Sequence, residues 1–310
     1  MQSVNVKGLS LSEKVLVCSL KQSLWRAAIT DKEVTKDTNT RYKASATAGA
    51  YRKRLMGEQL KDVNAAFREV DQFHKDNTLP WSAGKNEGIL LVDHYMKYRD
   101  GLAKKIRAAM DKVDEFVLMY PNHLRQARQD LGEMFNQDEY PPATEIRDFF
   151  KIDSDAYPVP DPNDWRVALS DQEISRLREK FEANLQMRLQ SSMESLWKRL
   201  YEPIKKMAET LSQEGKQFQR TLVDNIIDVV RLLPALNIAN DPQLEELRRE
   251  IEQRLCKNSA KELKSDDDLR SDTAQAAREI VDKMAVFAGA GVVEPMKNNN
   301  RADDAGRRAA

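Results

Sequence analysis

Apolar residues recur at helical spacing along most of the chain, and the longest such stretch runs from residue 170 to residue 211. From Ile174 to Leu211, eleven apolar positions follow one another in steps of three or four, which is the period of one face of an α-helix. Ser170 and Glu173 form a capping box, in which each side chain satisfies a free amide of the first turn. The pattern predicts a single helix roughly 60 Å long, which needs an equally long partner.

A second long helical pattern, over residues 87–135, supplies that partner in the predicted fold. Apolar residues continue at helical spacing from Leu91 to Phe135, and two long helices joined by an insert most simply form an antiparallel hairpin. The insert, residues 136–169, contains five prolines and several aromatic residues. Because so dense a group of aromatic side chains seldom stays exposed, we expect an ordered tip.

The N-terminal region carries a different pattern, which predicts a small α+β lobe. Val15 to Leu24 alternates between two sides and suits a half-buried strand, with a helix as the alternative. Residues 58–76 form an amphipathic helix, and further helices are expected over residues 218–233, 241–255 and 266–288. The sequence therefore predicts a mainly α fold with an N-terminal lobe at 1–84, the hairpin and C-terminal helices at 85–288, and a disordered tail at 289–310.

Composition and charge restrict the class of protein. The 310 residues have no net charge, but residues 1–56 carry +7 and residues 129–173 carry −9, so the two regions can face each other or steer a partner. The two cysteines, Cys18 and Cys256, do not make a disulfide framework. The longest uncharged apolar run, residues 284–293, is about half the length of a membrane span. We expect a cytoplasmic protein with no membrane contact.

Motifs for catalysis and cofactor binding are missing from the sequence. No glycine-rich phosphate loop, His-Glu-x-x-His, Cys-x-x-Cys or Gly-x-Ser-x-Gly occurs. His74 follows Asp71 by three residues, but one such pair is weak evidence for a metal ligand, and a histidine near the negative end of a helix dipole is the simpler interpretation. We expect no enzyme activity, no cofactor and no metal, although distant carboxylates can still form a site.

Two groups of residues are candidates for binding. The first is a basic and aromatic stretch whose cations suit phosphate and whose tyrosines suit stacking on bases, although a solvated surface explains it as well: Arg41, Tyr42, Lys43, Tyr51, Arg52, Lys53 and Arg54. The second is the set of aromatic residues in the insert, which suits a protein partner: Tyr140, Phe149, Tyr157 and Trp165.

Several short motifs resemble those of a helical protein family of bacteriophages and bacteria whose function is unknown. They are spread over about residues 15–288 and are typical of turns and of the ends of helices and strands. The motifs are Asn77–Trp81, Tyr140–Pro141, Pro158–Pro160, Trp165–Val167, Leu196–Trp197, Arg199–Tyr201, Leu233–Pro234, Leu236–Asn237 and Asp241–Pro242. The segment Ile89–Val92 departs from the pattern, because a proline is expected after the leucines. The resemblance implies a phage or plasmid origin and relatives encoded beside MoxR-type AAA+ ATPases and von Willebrand A proteins. It implies no catalytic residues.

Two functional hypotheses follow from these observations. The leading one is a non-enzymatic interaction or adaptor protein that acts with a protein machine, such as a MoxR-type AAA+ ATPase, in a host cytoplasm. The alternative is a nucleic-acid-binding protein that uses residues 41–54. The sequence leaves the oligomeric state open.

Overall fold

A computed structural model describes residues 11–82, 86–161, 170–213 and 215–288 of the chain. The predicted tail at 289–310 lies outside the described residues. The strands are β1 (Val15–Ser23), β2 (Ala28–Asp31), β3 (Tyr51–Arg54), β4 (Leu79–Pro80), β5 (Glu87–Leu91) and β6 (Lys151–Pro158). The helices are α1 (Leu11–Lys14), α2 (Lys32–Arg41), α3 (Lys61–Asn77), α4 (Val92–Leu131), α5 (Asp171–Leu211), α6 (Thr221–Leu236), α7 (Pro242–Arg254), α8 (Glu262–Ser265) and α9 (Asp267–Ala288). The predicted class, mainly α with an α+β region, is confirmed.

The fold is centred on an antiparallel sheet in the order β4-β5-β1-β6. Strand β1 confirms the strand predicted from alternation, but it is buried on both faces over most of its length rather than on one. Val15 and Val17 belong to one buried cluster, whereas Cys18 and Leu20 belong to another. Because successive side chains of a strand point to opposite faces, β1 contributes to two separate cores.

The C-terminal core, built on one face of the sheet, contains α5, α6, α7, α8 and α9. Ser170 caps α5 as predicted, since its hydroxyl accepts a hydrogen bond from the amide of Glu173 at 3.3 Å. The helix then extends for 41 residues. Its main partner is α9, which packs along it, and α6 packs beside them. Leu196, Leu200 and Ile204, all from the predicted apolar stripe, are fully buried in this core.

The N-terminal core, on the other face, contains α3, α4, residues of the insert and alternate residues of β1. Helix α4 is 40 residues long and packs mainly against α3. The predicted hairpin of the two long helices is therefore wrong in its pairing. Within the described residues, the buried part of α4 belongs to the N-terminal core and that of α5 to the C-terminal core. A helical period identifies an apolar face but carries no information about which element covers it.

The insert does not form a separate tip at the end of a hairpin. Its strand β6 pairs with β1 from Leu16 opposite Pro158 to Ser23 opposite Lys151, so the insert belongs to the central sheet. Strands β5 and β6 both lie beyond residue 84, and the sheet is thus not confined to the segment assigned to the N-terminal lobe. The domain boundaries themselves stay a prediction.

Polar side chains of α5 connect the two sides of the sheet. The Arg199 guanidinium donates hydrogen bonds to the carbonyls of Asp76 at 2.9 Å and Thr78 at 3.1 Å, which lie at the end of α3. The Ser192 hydroxyl donates to the Pro80 carbonyl at 2.6 Å. Carbonyls at the end of a helix lack partners within the helix, so Arg199 satisfies them and fixes α5 against the sheet.

Candidate interaction sites

Strand β6 is the edge of the central sheet and is paired along one side. Its eight residues face β1, and no strand among the described residues pairs with its other side. Seven of its side chains are exposed and only Ile152 is half-buried. An exposed edge of this length presents unpaired amides and carbonyls, the usual template for adding another strand.

The side chains of β6 alternate between an acidic face and a face of small residues. Asp153, Asp155 and Tyr157 lie on one face because they are spaced by two, and Ser154 and Ala156 lie on the other. The Tyr157 hydroxyl donates a hydrogen bond to Glu87 Oε1 at 3.0 Å, reaching across β1 to β5. Desolvation, followed by this bond to a carboxylate, raises the pKa of Tyr157. The acidic face therefore holds a protonated, anchored tyrosine beside two carboxylates.

The four aromatic residues predicted to bind a partner are not equivalent. Tyr140 is buried, donates a hydrogen bond from its hydroxyl to the Leu55 carbonyl at 2.8 Å and stacks on Phe135. It belongs to the N-terminal core and is not accessible to a partner. Phe149 and Tyr157 are 41% and 39% exposed and lie just before and within β6. Trp165 lies outside the described residues.

The cations of the basic stretch are not equivalent either, because Lys53 is buried while the other four are exposed. Its ammonium contacts Glu139 at 2.7 Å and Asp31 at 3.2 Å and donates to the Met134 carbonyl at 3.0 Å, with 4% of its side chain exposed. Burial lowers the pKa of Lys53, but the bonds to the two carboxylates outweigh this and raise it overall. Lys53 fastens β3 to the chain after α4, and its charge is already neutralised, so it is not a phosphate ligand.

The other four predicted nucleic-acid ligands are exposed to solvent: Arg41, Lys43, Arg52 and Arg54. In the described part of the chain, none of the four forms an ion pair, in contrast to cations such as Arg248 and Lys283 of the C-terminal helices. The strand period explains the division from Lys53, since residues 52 and 54 point away from the side on which residue 53 is buried. The sequence alone does not separate Lys53 from its two neighbours, because the separation depends on β3 being a strand.

A buried polar cluster lies between α3, α4 and β1. His74 Nδ1 is 2.7 Å from the Tyr98 hydroxyl, and both residues are buried. Burial lowers the pKa of His74 to about 4 and raises the pKa of Cys18 to about 12, so the imidazole and the thiol are neutral at pH 7. Asp71 is engaged elsewhere, by Lys75 and Asn86. The cluster is thus a structural part of the N-terminal core.

The edge strand β6 is the main feature of the candidate sites that sequence reasoning missed. The residues of β6 lack the apolar alternation of a half-buried strand, so periodicity does not reveal the strand. Its alternating charges and its terminal Pro158 are typical of edge strands. These two features are the sequence signals from which an edge strand could have been predicted.

Searches for related proteins give no further guidance: no family model, curated protein or solved structure matches the chain. The resemblance to a phage and bacterial family therefore stays a prediction. Across residues 11–288, apart from the undescribed gaps, no helix has the length and apolar character to cross a membrane. Over the same described residues, no group of three or more histidine, cysteine, aspartate or glutamate side chains is placed to hold a metal ion.

Proposed function

We propose that this protein is a non-enzymatic interaction protein whose strand β6 binds an extended segment of a partner protein. The observation that carries the proposal is an eight-residue strand that is paired on one side and exposed on both faces. A bound segment would add a fifth strand to the sheet, and main-chain hydrogen bonds would supply the affinity.

The side chains of β6 favour a basic partner segment. Asp153 and Asp155 lie two residues apart on one face, so a paired strand with basic residues at alternate positions would place a positive charge beside each carboxylate. Opposite charges across a strand pair stabilise it by roughly 0.2–1 kcal/mol each, and like charges destabilise it. Exposed Phe149 lies next to the strand and offers an apolar contact at its start.

The resemblance to a phage and bacterial family supports a component of a protein machine as the partner. Relatives of that family are encoded beside MoxR-type AAA+ ATPases, and we propose such an ATPase in a host cytoplasm as the first candidate. A pull-down that compares wild type with D153K/D155K after nuclease treatment tests this choice. An ATPase captured by both proteins alike would not be a β6 partner.

The strand-addition mode itself is tested with a defined probe, an alternating Lys-Val peptide of about eight residues, matched to the usual length of a strand. Hydrogen exchange of the full chain should show slower exchange of β6 amides when the peptide is present. In fluorescence anisotropy, D153K/D155K should weaken binding by about tenfold, because two attractions become repulsions.

The matched control replaces two exposed acids on a different element, Glu179 and Glu182 of α5. E179K/E182K changes the net charge equally and should leave peptide affinity unchanged. Equal weakening by both double variants, or peptide binding without protection of β6, would contradict the proposed site.

A further inference from the structure

A second exposed surface, with the opposite charge, lies on the unit formed by β2, α2, the following loop and β3. We name residues 28–54 the ribbon unit. Residues 38–57 contain five basic residues and no acid, and every residue from 40 to 52 is exposed. After Lys53 is set aside because it is buried, four cations without carboxylate partners among the described residues remain: Arg41, Lys43, Arg52 and Arg54.

The pairing of β2 with β3 places two of these cations side by side. Arg52 lies opposite Thr30 and Arg54 opposite Ala28, so both arginines point to the same face of the two-stranded ribbon, about 7 Å apart. Their cross-strand neighbours are small and uncharged. This face therefore has a row of guanidinium groups with no acid to neutralise them and no bulky side chain to cover them.

Hydrogen bonds hold the unit in one arrangement before any ligand binds. Asp31 caps α2 by accepting from the amides of Glu33 and Val34, both at 3.1 Å. The Asn39 side chain donates to the carbonyls of Ala46 at 3.3 Å and Gly49 at 3.2 Å. These bonds tie the exposed loop to α2, so little ordering of the backbone is left for a ligand to impose.

Two exposed tyrosines belong to the same unit. Tyr42, 75% exposed, follows α2 directly, and Tyr51, 43% exposed, begins β3. The amide of Tyr51 donates to the Thr35 hydroxyl at 2.9 Å, which connects the start of β3 to α2. Aromatic rings that are this exposed are available for stacking, and unpaired bases present the flat faces that stack on them.

We infer that the ribbon unit binds single-stranded nucleic acid, with Arg41, Lys43, Arg52 and Arg54 on the phosphates and Tyr42 and Tyr51 against bases. The exposed tyrosines favour a single strand, because the bases of a duplex are stacked on each other and are closed to them. This site is separate from β6 and does not depend on the function proposed for it.

The test is fluorescence anisotropy of the full chain with a labelled oligothymidylate of about 20 nucleotides, long enough for a single binding site. Four phosphate contacts with a single strand predict a slope of about −3 for log affinity against log salt. Affinity should then fall by roughly 50-fold between about 50 and 200 mM salt. Absence of binding at the lowest salt concentration would overturn the inference.

Two variants locate the site. R52Q/R54Q should reduce the salt slope by about half, since two of the four contacts are lost, whereas R52K/R54K should keep it. The matched control is K104Q/R107Q, which removes two exposed cations from α4 and should leave affinity and slope unchanged. If the control weakens binding as much as R52Q/R54Q, the ribbon unit is not the site.

A third variant separates stacking from charge. Y42A/Y51A should lower affinity by about tenfold or more while leaving the salt slope intact, because stacking releases no counterions. Circular dichroism of each variant checks that the fold is kept. Equal binding of a duplex of the same length, insensitive to Y42A/Y51A, would overturn the assignment to single strands.

Discussion

The two cores on either face of the sheet are built from different kinds of contact. The N-terminal core is rich in aromatic pairs, among them Trp25 with Tyr120 and Phe67 with Phe150. The C-terminal core is mainly aliphatic, and its buried helix faces are lined by leucine, isoleucine, valine and alanine. The difference arises because the C-terminal core joins helices to one another, whereas the N-terminal core also joins helices to irregular segments.

Directional hydrogen bonds fix the N-terminal core, because it joins helices to irregular segments. The Tyr120 hydroxyl donates to the Pro141 carbonyl at 2.8 Å, and the Gln22 side chain donates to the Phe67 carbonyl at 3.1 Å. Each bond connects segments that are distant in sequence, β1 with the middle of α3 in one case and α4 with the insert in the other. Such bonds select one arrangement of loops where an apolar stripe is lacking.

Apolar stripes dominate the C-terminal core, and its charges lie at the surface. Glu250 pairs with Arg254 at 2.8 Å and Lys283 at 2.7 Å, linking α7 to α9. Exposed pairs of this kind contribute little, typically less than 1 kcal/mol. Two arginines depart from this rule. Arg199 of α5 bonds to the end of α3, and the Arg270 guanidinium donates to the carbonyls of Leu211, the last residue of α5, and of Gln213 and Lys216 beyond it. The comparison predicts that the stability of the C-terminal core depends mainly on the volume of its buried side chains. The stability of the N-terminal core should depend more on its buried polar contacts.

The largest expected effect is truncation within the aliphatic core. Leu200→Ala should lower the free energy of unfolding by about 4 kcal/mol, because Leu200 is fully buried and the cavity cannot close. Leu118→Ala on α4 is the control, since Leu118 is 79% exposed. Urea denaturation measures both. A similar loss for the two variants would show that burial does not distinguish them.

A smaller effect is expected from the buried ion pair of the N-terminal core. Lys53→Met should lower the free energy of unfolding by about 3 kcal/mol, because the carboxylates of Asp31 and Glu139 would lose the cation that neutralises them. The adjacent Arg52→Gln should change it by less than about 0.5 kcal/mol. Thermal unfolding compares the two, and equal stability of both variants would place Lys53 outside the core contacts.

Acid should weaken the N-terminal core through His74. Burial lowers its pKa to about 4 in the folded state, against about 6.5 in the unfolded chain, so the unfolded state binds the proton first. Stability is therefore full above about pH 6.5 and falls until about pH 4, with a loss of about 2 kcal/mol at pH 5. The loss should be smaller in His74→Gln. An unchanged pH dependence in that variant would assign the loss to other groups.

Sequence periodicity predicted the C-terminal core better than the N-terminal one for a physical reason. Helices such as α5, α7 and α9 bury continuous stripes, so their positions follow from local spacing and caps. Ser170 is identifiable as a cap from its residue type and neighbours, and it accepts the expected amide hydrogen bond. Local information is sufficient where the contacts that define an element are local.

Local residue spacing does not predict which helices and strands pack against each other. Periodicity predicts α5 as the partner of α4, whereas α4 packs mainly against α3, because the apolar face of α4 suits either helix. Sequence reasoning placed Lys53 with the surface cations, since its burial depends on Glu139, which is 86 residues away. The buried Tyr140 was grouped with the exposed Phe149 and Tyr157 for the same reason. Contacts between distant segments decide these features, and residue spacing does not record them.

The central position of β1 has a consequence for the order in which the protein folds during synthesis. Its partner strands, β5 and β6, begin 64 and 128 residues after its last residue, Ser23. At about 5–20 residues per second, a ribosome needs roughly 6–26 s to make the chain between β1 and β6. For the first half of that interval β1 has neither neighbour, and one of its edges stays unpaired until β6 has been made. A strand with an unpaired edge is a template for pairing with another chain, so the nascent protein is open to incorrect strand pairing until the insert has been translated.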